Sequence, residues 1–240
     1  MSSPTRRTWV YLLAYLMSPA QSSKASDLFE LSLEELLNVR VSIASKREET
    51  LHNAPGIITV ITASELNRYG ARNLHDAMRL IPAVQQIYPQ FTHRNSVAVR
   101  GTSSGALDKY LLTLLNGKPL RDPILYGVNA PVYEGIPLEL IERIEIIRGP
   151  GSVIYGSNAF AGVMDIITKQ ANDQQQSAMS FRHGTSGTDI KELFLNKKFS
   201  NDLAIVAALR SHKTDGWELA FTDTGGDRDS FNNANDAWGG

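Results

Sequence analysis

The chain contains no cysteine. Disulfides and thiolate metal sites are therefore excluded, although the absence fixes no compartment. An excess of either charge is also missing, for the 240 residues carry a formal net charge of −1. With no basic patch interleaved with aromatics, nothing electrostatic favours nucleic acid as a partner. No stretch reads as a transmembrane helix. The apolar run Trp9 to Met17 is too short, since about 30 Å of hydrocarbon takes roughly 20 residues to cross. Catalytic constellations are lacking as well. His52, His75, His93, His183 and His212 are scattered without metal-ligand spacing and read as surface or packing residues. Neither a Gly-x-Ser-x-Gly elbow nor an acid/base pair of carboxylates stands out. The chain is expected not to be an enzyme and to hold no cofactor or metal.

What is present begins at the N-terminus. Arg6 and Arg7 precede the run Trp9 to Met17, and Ser18-Pro19-Ala20 supplies small residues before Gln21. That is the layout of a secretory signal peptide, with a short membrane anchor as the other reading. Cleavage is expected after Ala20, or alternatively after Ala25, with export to the envelope. Leu28 to Asn38 has a capping-box pair, Ser32 and Glu35, and an apolar stripe of Leu33, Leu36 and Leu37, which predicts a short helix. Val39, Arg40, Val41, Ser42 and Ile43 then alternate apolar and polar, the period of an extended strand. Val39, Val41 and Ile43 would face one way, and Arg40 and Ser42 the other.

The most informative stretch is Ile141 to Lys169, which reads as strand, glycine-rich turn, helical turn and strand. Ile144 and Ile146 share one strand face, with Glu145 on the other. Gly151, Gly156 and Gly162 are expected to permit close chain crossings, and Pro150 fixes one dihedral. Phosphate-binding readings fail on detail. Gly151 to Ser157 has Walker A glycine spacing but no lysine, and the third glycine of a dinucleotide fingerprint comes two residues late.

Upstream, Ile57 to Ile61 reads as a strand. Thr62 and Glu65 form a capping-box pair for a helix ending at Gly70. A second helix starts at Asn73, with Asp76 in its first turn, Leu74, Ala77, Met78 and Ile81 on one face, and Pro82 as its stop. Val97 to Arg100 and Tyr110 to Leu115 read as strands, and Asn116-Gly117 predicts a hairpin turn. Pro119 confines the returning strand to an edge.

These pieces, in this order, resemble the plug domain of TonB-dependent outer-membrane receptors: PGIITVITASEL, NLHDAMRLIP, VAVRG, LLNGKPL and IERIEIIRGPGSVIYGSNAFAGVMDIITK. The resemblance runs unbroken from Ala54 to Lys169. It implies an α+β plug domain, a small mixed β-sheet with short helices, followed by the first few antiparallel strands of an incomplete transmembrane β-barrel. Expected divisions are a signal peptide over 1–20, a periplasmic TonB-box segment over 21–53, the plug over 54–170 and a partial, truncated barrel over 171–240. By position, Val39 to Ile43 resembles the TonB box, although Asn38 and Ala44-Ser45 depart from its usual ends and leave the register open. An extended peptide of this kind adds to a sheet edge through its backbone; otherwise it is an ordinary edge strand. Arg100 and Arg148 match plug arginines that pair with barrel glutamates in this family. Asp165 stands where the family usually has Asn, so if buried it needs a partner or a raised pKa.

The resemblance further implies the outer membrane as location, the inner-membrane protein TonB as energy-transducing partner, and import of a scarce small-molecule nutrient. Siderophore-bound iron is the expected cargo, with cobalamin as the alternative. Loops Tyr88 to Asn95, Thr102 to Asp108 and Ile124 to Asn129 are candidates to face that ligand, with Tyr88, Gln90, Phe91, Arg94, Leu107 and Tyr126 supplying a polar, partly aromatic lining. Without the resemblance each is a connecting loop.

Beyond Gln170 the pattern changes. Met179 and Phe181 alternate with Ser180 and Arg182, and Leu203, Ile205, Ala207 and Leu209 alternate with Ala204, Val206, Ala208 and Arg210. Such alternation over about ten residues is the signature of barrel strands, though a small soluble sheet reads the same way. Asp189 to Phe199 fits less well, because Ile190 and Phe194 oppose Leu193 and Leu195. The tail from Thr222 to Gly240 reads as a loop. Only roughly three strands are expected against about 22 in the family's barrel, so a fragment of a longer receptor is expected. A soluble periplasmic plug-like binding module or a non-functional truncated receptor is the alternative.

Overall fold

The computed structural model describes residues 40–43, 49–52, 54, 56–87, 96–102, 108–120, 130–149, 151–171, 177–199, 203–216, 218–222, 224–226, 228–232 and 235–239. Strands β1 (Arg40–Val41) and β2 (Glu49–Thr50) pair with each other. Next come β3 (Ile57–Thr62), α1 (Ala63–Arg68) and α2 (Leu74–Ala77), the last running into a 3-10 turn over Met78–Leu80. β4 (Val84–Ile87) and β5 (Ser96–Val99) form a small antiparallel pair. β6 (Leu111–Leu115), β7 (Lys118–Pro119), α3 (Ala130–Gly135), β8 (Ile141–Arg148), α4 (Ser152–Tyr155) and β9 (Gly162–Thr168) follow.

The local signals act as their chemistry requires. Thr62 accepts from the Glu65 amide and Glu65 returns a bond to the Thr62 amide, a complete capping box. At the other end Gly70, at φ +65°, donates to Asn67 while Ala71 donates to Leu66, a Schellman closure. Asn73 caps α2 by accepting from the Asp76 amide. Asn116 and Gly117 both have positive φ, 49° and 76°, as a two-residue hairpin turn needs. Pro119 lies on β7, the edge strand of a five-stranded sheet ordered β3-β8-β9-β6-β7.

Only β6 and β9 run parallel in that sheet. One face, with Leu111, Ile144, Ile146, Met164 and Ile166, packs on Leu66, Leu74, Met78 and Tyr133 from the helices. Buried His75 belongs there, edge-on to Tyr133 with ring centroids 5.9 Å apart; burial holds its pKa below the usual value. The opposite face carries Leu112, Leu114 and Val163, covered by Ile43 and Ala159. Two of the three glycines in the turn are sites of close crossing. A Cβ on Gly162 would stand 2.7 Å from the Ile147 carbonyl oxygen, and one on Gly151 2.5 Å from Val163. Gly156 corrects the expectation: nothing lies within 4 Å, and its need is for φ +75°.

A second sheet of four antiparallel strands follows, ordered β10-β11-β12-β15: β10 (Ala178–His183), β11 (Asp189–Lys198), β12 (Ala204–Thr214) and β15 (Asn235–Gly239). β13 (Glu218–Thr222) and β14 (Arg228–Asn232) form a hairpin between β12 and β15. The sheet is open. The tail is thus not a plain loop, and the strand count exceeds the expected three. Its Asp, Asn and Gly content signals turns, but the backbone ladder to β12 is indifferent to composition. Phe181, Leu203, Ile205 and Leu209 project outward and are exposed, while Ile190, Phe194, Ala208 and Arg210 are buried inward. β11 therefore belongs to this wall despite its mixed pattern. Its inner face meets protein rather than water, so both of its faces are apolar in part. Among the described residues no helix is long and apolar enough to cross a membrane, which says nothing of crossing by strands.

Candidate functional site

The second face of the five-stranded sheet is where the N-terminal segment docks. Val41 and Ile43 are 1% and 0% exposed, with Ser42 between them facing outward in part. Glu145, on the interior strand β8, accepts from the amides of Ser42 at 2.9 Å and Ile43 at 3.1 Å through the same oxygen. Its other oxygen accepts from Arg143 Nε at 2.9 Å. Tyr155, on α4, donates its hydroxyl to the Ile43 carbonyl at 2.8 Å. Ile43 itself fills the space over Leu112, Leu114 and Val163. Val41 and Ile43 are both buried, as the alternation predicts, but the strand ends at Val41 and Ile43 lies in a turn, so the extended run does not continue through it; Val39 lies outside the described residues.

The strength of this hold follows from its parts. Burying an isoleucine side chain contributes roughly 1.5–3 kcal/mol, and a bond to a charged acceptor about 1.5–3 kcal/mol net. Fixing the backbone costs about 1–2 kcal/mol per residue. With Val41 and Ile43 both buried and two amides on Glu145, these contributions exceed that cost, so the segment is held in place.

Asp165 stands directly across from Glu145 in the ladder, on the same face, and is 3% exposed. Its carboxylate accepts from the Gly117 amide at 3.0 Å. Burial pushes its pKa up against that bond, the charge of Glu145 adds to the rise, and Arg143 opposes it. The partner and the raised pKa expected for a buried carboxylate are both present. Tyr155 is pushed up to about 12, first by burial and then by Asp165 and Glu145. Among the described residues no cluster is suited to hold a metal.

Arg148 and Arg100 meet at the far end of β8. Arg148 Nη1 donates to the Pro82 carbonyl at 3.0 Å and Nη2 to Thr59 Oγ1 at 3.1 Å. Arg100, at φ +53°, donates to the Arg148 carbonyl at 3.2 Å. Between the sheets, Glu192 on β11 is paired with Arg182 on β10 at 2.7 Å and with Arg210 on β12. Arg182 also donates to the Ala71 carbonyl at 2.9 Å, and Arg210 to the Arg72 carbonyl at 2.6 Å. Lys169 lies 4.8 Å above the Phe194 ring.

Comparison with known proteins decides what this arrangement is. The family model described as the TonB-dependent Receptor Plug Domain matches residues 50–163. Those residues are a TonB-dependent receptor plug domain. The chain is 31% identical over 150 residues to the vitamin B12 transporter BtuB of Photobacterium profundum, covering 62% of this chain and 24% of that protein. It is 27% identical over 186 residues to BtuB of Vibrio vulnificus, covering 77% and 29%. Among solved structures, P. aeruginosa FpvA bound to heterologous pyoverdines shares the fold with a TM-score of 0.63 at 17% identity, over 74% of this chain and 22% of that one. The chain thus spans about a quarter of the length of these relatives. Both BtuB relatives are named transporters, which supports a non-enzymatic chain.

Within the plug, then, the structure brings Arg100 and Arg148 together and places Arg40 to Ile43 at the sheet. Among the described residues both arginines bond within the plug, to the Arg148 and Pro82 carbonyls and to Thr59. The loop candidates Tyr88, Gln90, Phe91, Arg94, Leu107 and Tyr126 lie outside the described residues, as do the leader and the helix expected over 28–38. Asp108, at one loop end, is buried and accepts from the Val97 amide at 2.8 Å. Glu145, Tyr155 and the Arg182–Glu192–Arg210 triad were not singled out as site residues. A charged side chain opposite Ile144 and Ile146 on an interior strand was the available signal for Glu145. The triad carried none, because it depends on register.

Proposed function

We propose that this chain is the N-terminal part of an outer-membrane receptor that imports a scarce nutrient, driven by TonB. Residues 1–20 act as a cleaved export signal, 21–53 as the periplasmic segment with Val39 to Ile43 as TonB box, 54–170 as plug and 171–240 as partial barrel. The docking of Ser42 and Ile43 on Glu145 supports the reading for the box, because it holds the segment on the plug's sheet by backbone bonds to side chains rather than by a strand ladder. Arg100 and Arg148 hold the plug against carboxylates of the wall, and the loops around Tyr88 to Arg94, Leu107 and Tyr126 face the ligand.

The cargo is a metal chelate, ferric siderophore or cobalamin. Solved likenesses that bind ferric siderophores support the first, and the BtuB relatives the second. A soluble module is not favoured, since the outward row of Phe181, Leu203, Ile205 and Leu209 is exposed and apolar. The test is uptake of labelled ferric siderophore and labelled cyanocobalamin by cells whose only receptor is the gene encoding this chain, with and without TonB. TonB-dependent uptake that is lost in Ile43→Pro, with ligand binding kept, supports the reading. Uptake indifferent to TonB sinks it.

A further inference from the structure

The wall holds a buried charged cluster that import through the plug does not by itself require. Glu192 has no side-chain exposure, Arg210 1% and Arg182 30%. Glu192 and Arg210 are direct partners across the β11–β12 ladder, and Arg182 reaches Glu192 diagonally from β10. Two guanidiniums share one carboxylate, which leaves a positive charge in a buried place. Such a cluster is costly unless its members find further bonds. Here each arginine directs a further donor at one of two successive plug carbonyls, those of Ala71 and Arg72.

That peptide is a defined target. It lies just beyond the Schellman closure of α1 and just before Asn73, the cap of α2. The two carbonyls are therefore held in fixed directions by turns on either side. Ala71 is buried, whereas the Arg72 side chain is 64% exposed and pairs with Asp76 at 2.8 Å.

We propose that Arg182, Glu192 and Arg210 form a docking clamp for the α1–α2 turn. It keeps this corner of the plug seated on the wall when the segment 40–43 on the sheet's far face is released. Glu192 is a positioning residue: it aims the two guanidiniums, and they hold the turn. Among the described residues the seat and the segment are held by different side chains. Glu145 and Tyr155 hold one, and the triad holds the other.

The experiment uses the full chain in detergent micelles, with trypsin cleavage after Arg72 and amide exchange at Ser42 and Ile43 as separate readouts. Glu192→Gln is expected to speed cleavage after Arg72 at least tenfold with exchange at 42–43 unchanged. Glu145→Gln is expected to do the reverse. Because Glu192→Gln could disturb the wall, an apolar triple variant, Arg182→Met, Glu192→Leu and Arg210→Met, keeps volume without donors and should also speed cleavage after Arg72. Protection of Arg72 in the triple variant equal to the parent overturns the clamp. Faster cleavage after Arg72 in Glu145→Gln overturns the independence of the two holds.

Discussion

Asp165 shows how one side chain makes a sheet sensitive to pH. Its folded pKa is raised above the unfolded value, so protonation is favoured by folding. The stability tied to that proton is fully present below about pH 4, the ordinary carboxyl value, and is lost as pH climbs through the folded pKa. Asp165→Asn keeps an acceptor for the Gly117 amide and removes the titration. We expect a higher melting temperature than the parent at pH 7 and no difference near pH 4. Equal pH profiles would remove Asp165 as the source. The glycines give a second comparison. Gly162→Ala drives a Cβ against a backbone oxygen 2.7 Å away, which cannot move aside, and should cost about 1–3 kcal/mol by denaturant titration. Gly156→Ala meets nothing and bears only a left-handed backbone, about 1 kcal/mol. A larger loss at Gly156 would reverse the assignment.

At the scale of elements, what was legible was local. The capping box at Thr62 and Glu65, the closure at Gly70, the hairpin at Asn116-Gly117 and the edge placement of Pro119 each depend on a few adjacent residues, and each formed as its chemistry dictates. Thr62→Ala should cost about 1 kcal/mol, read as a shift in the unfolding midpoint without a change of slope. What was not legible joins distant residues. Ser42 and Glu145 are 103 positions apart, and Arg210 and Arg72 are 138. No period or spacing encodes such a pair; only the register of assembled strands creates it. The tail failed for the same reason, since β15 exists by virtue of the open edge of β12. Its Asn and Gly residues argued for a turn, and the ladder outweighed them.

Considered whole, the molecule has a mixed sheet under three short helices, set against a wall whose two faces see different surroundings. Inward positions carry Ile190, Phe194 and the charged triad, and outward positions carry exposed Ile205 and Leu209. If the outward row meets lipid, Leu209→Arg should weaken folding into vesicles by about 2–4 kcal/mol near mid-depth, while leaving the tryptic protection of Arg72 intact. A variant that folds equally well into vesicles would place that face in water. The hold on Ile43 has a mechanical consequence as well. Tension applied from the N-terminal side reaches the two-residue β1–β2 pairing, two amide bonds, one hydroxyl bond and two buried side chains before it reaches any rung of the β3–β8 or β8–β9 ladders. Such contacts yield one after another, whereas ladder rungs loaded along the strand must shear together. The segment therefore behaves as a fuse: it gives before the ladders do, sparing the sheet beneath it.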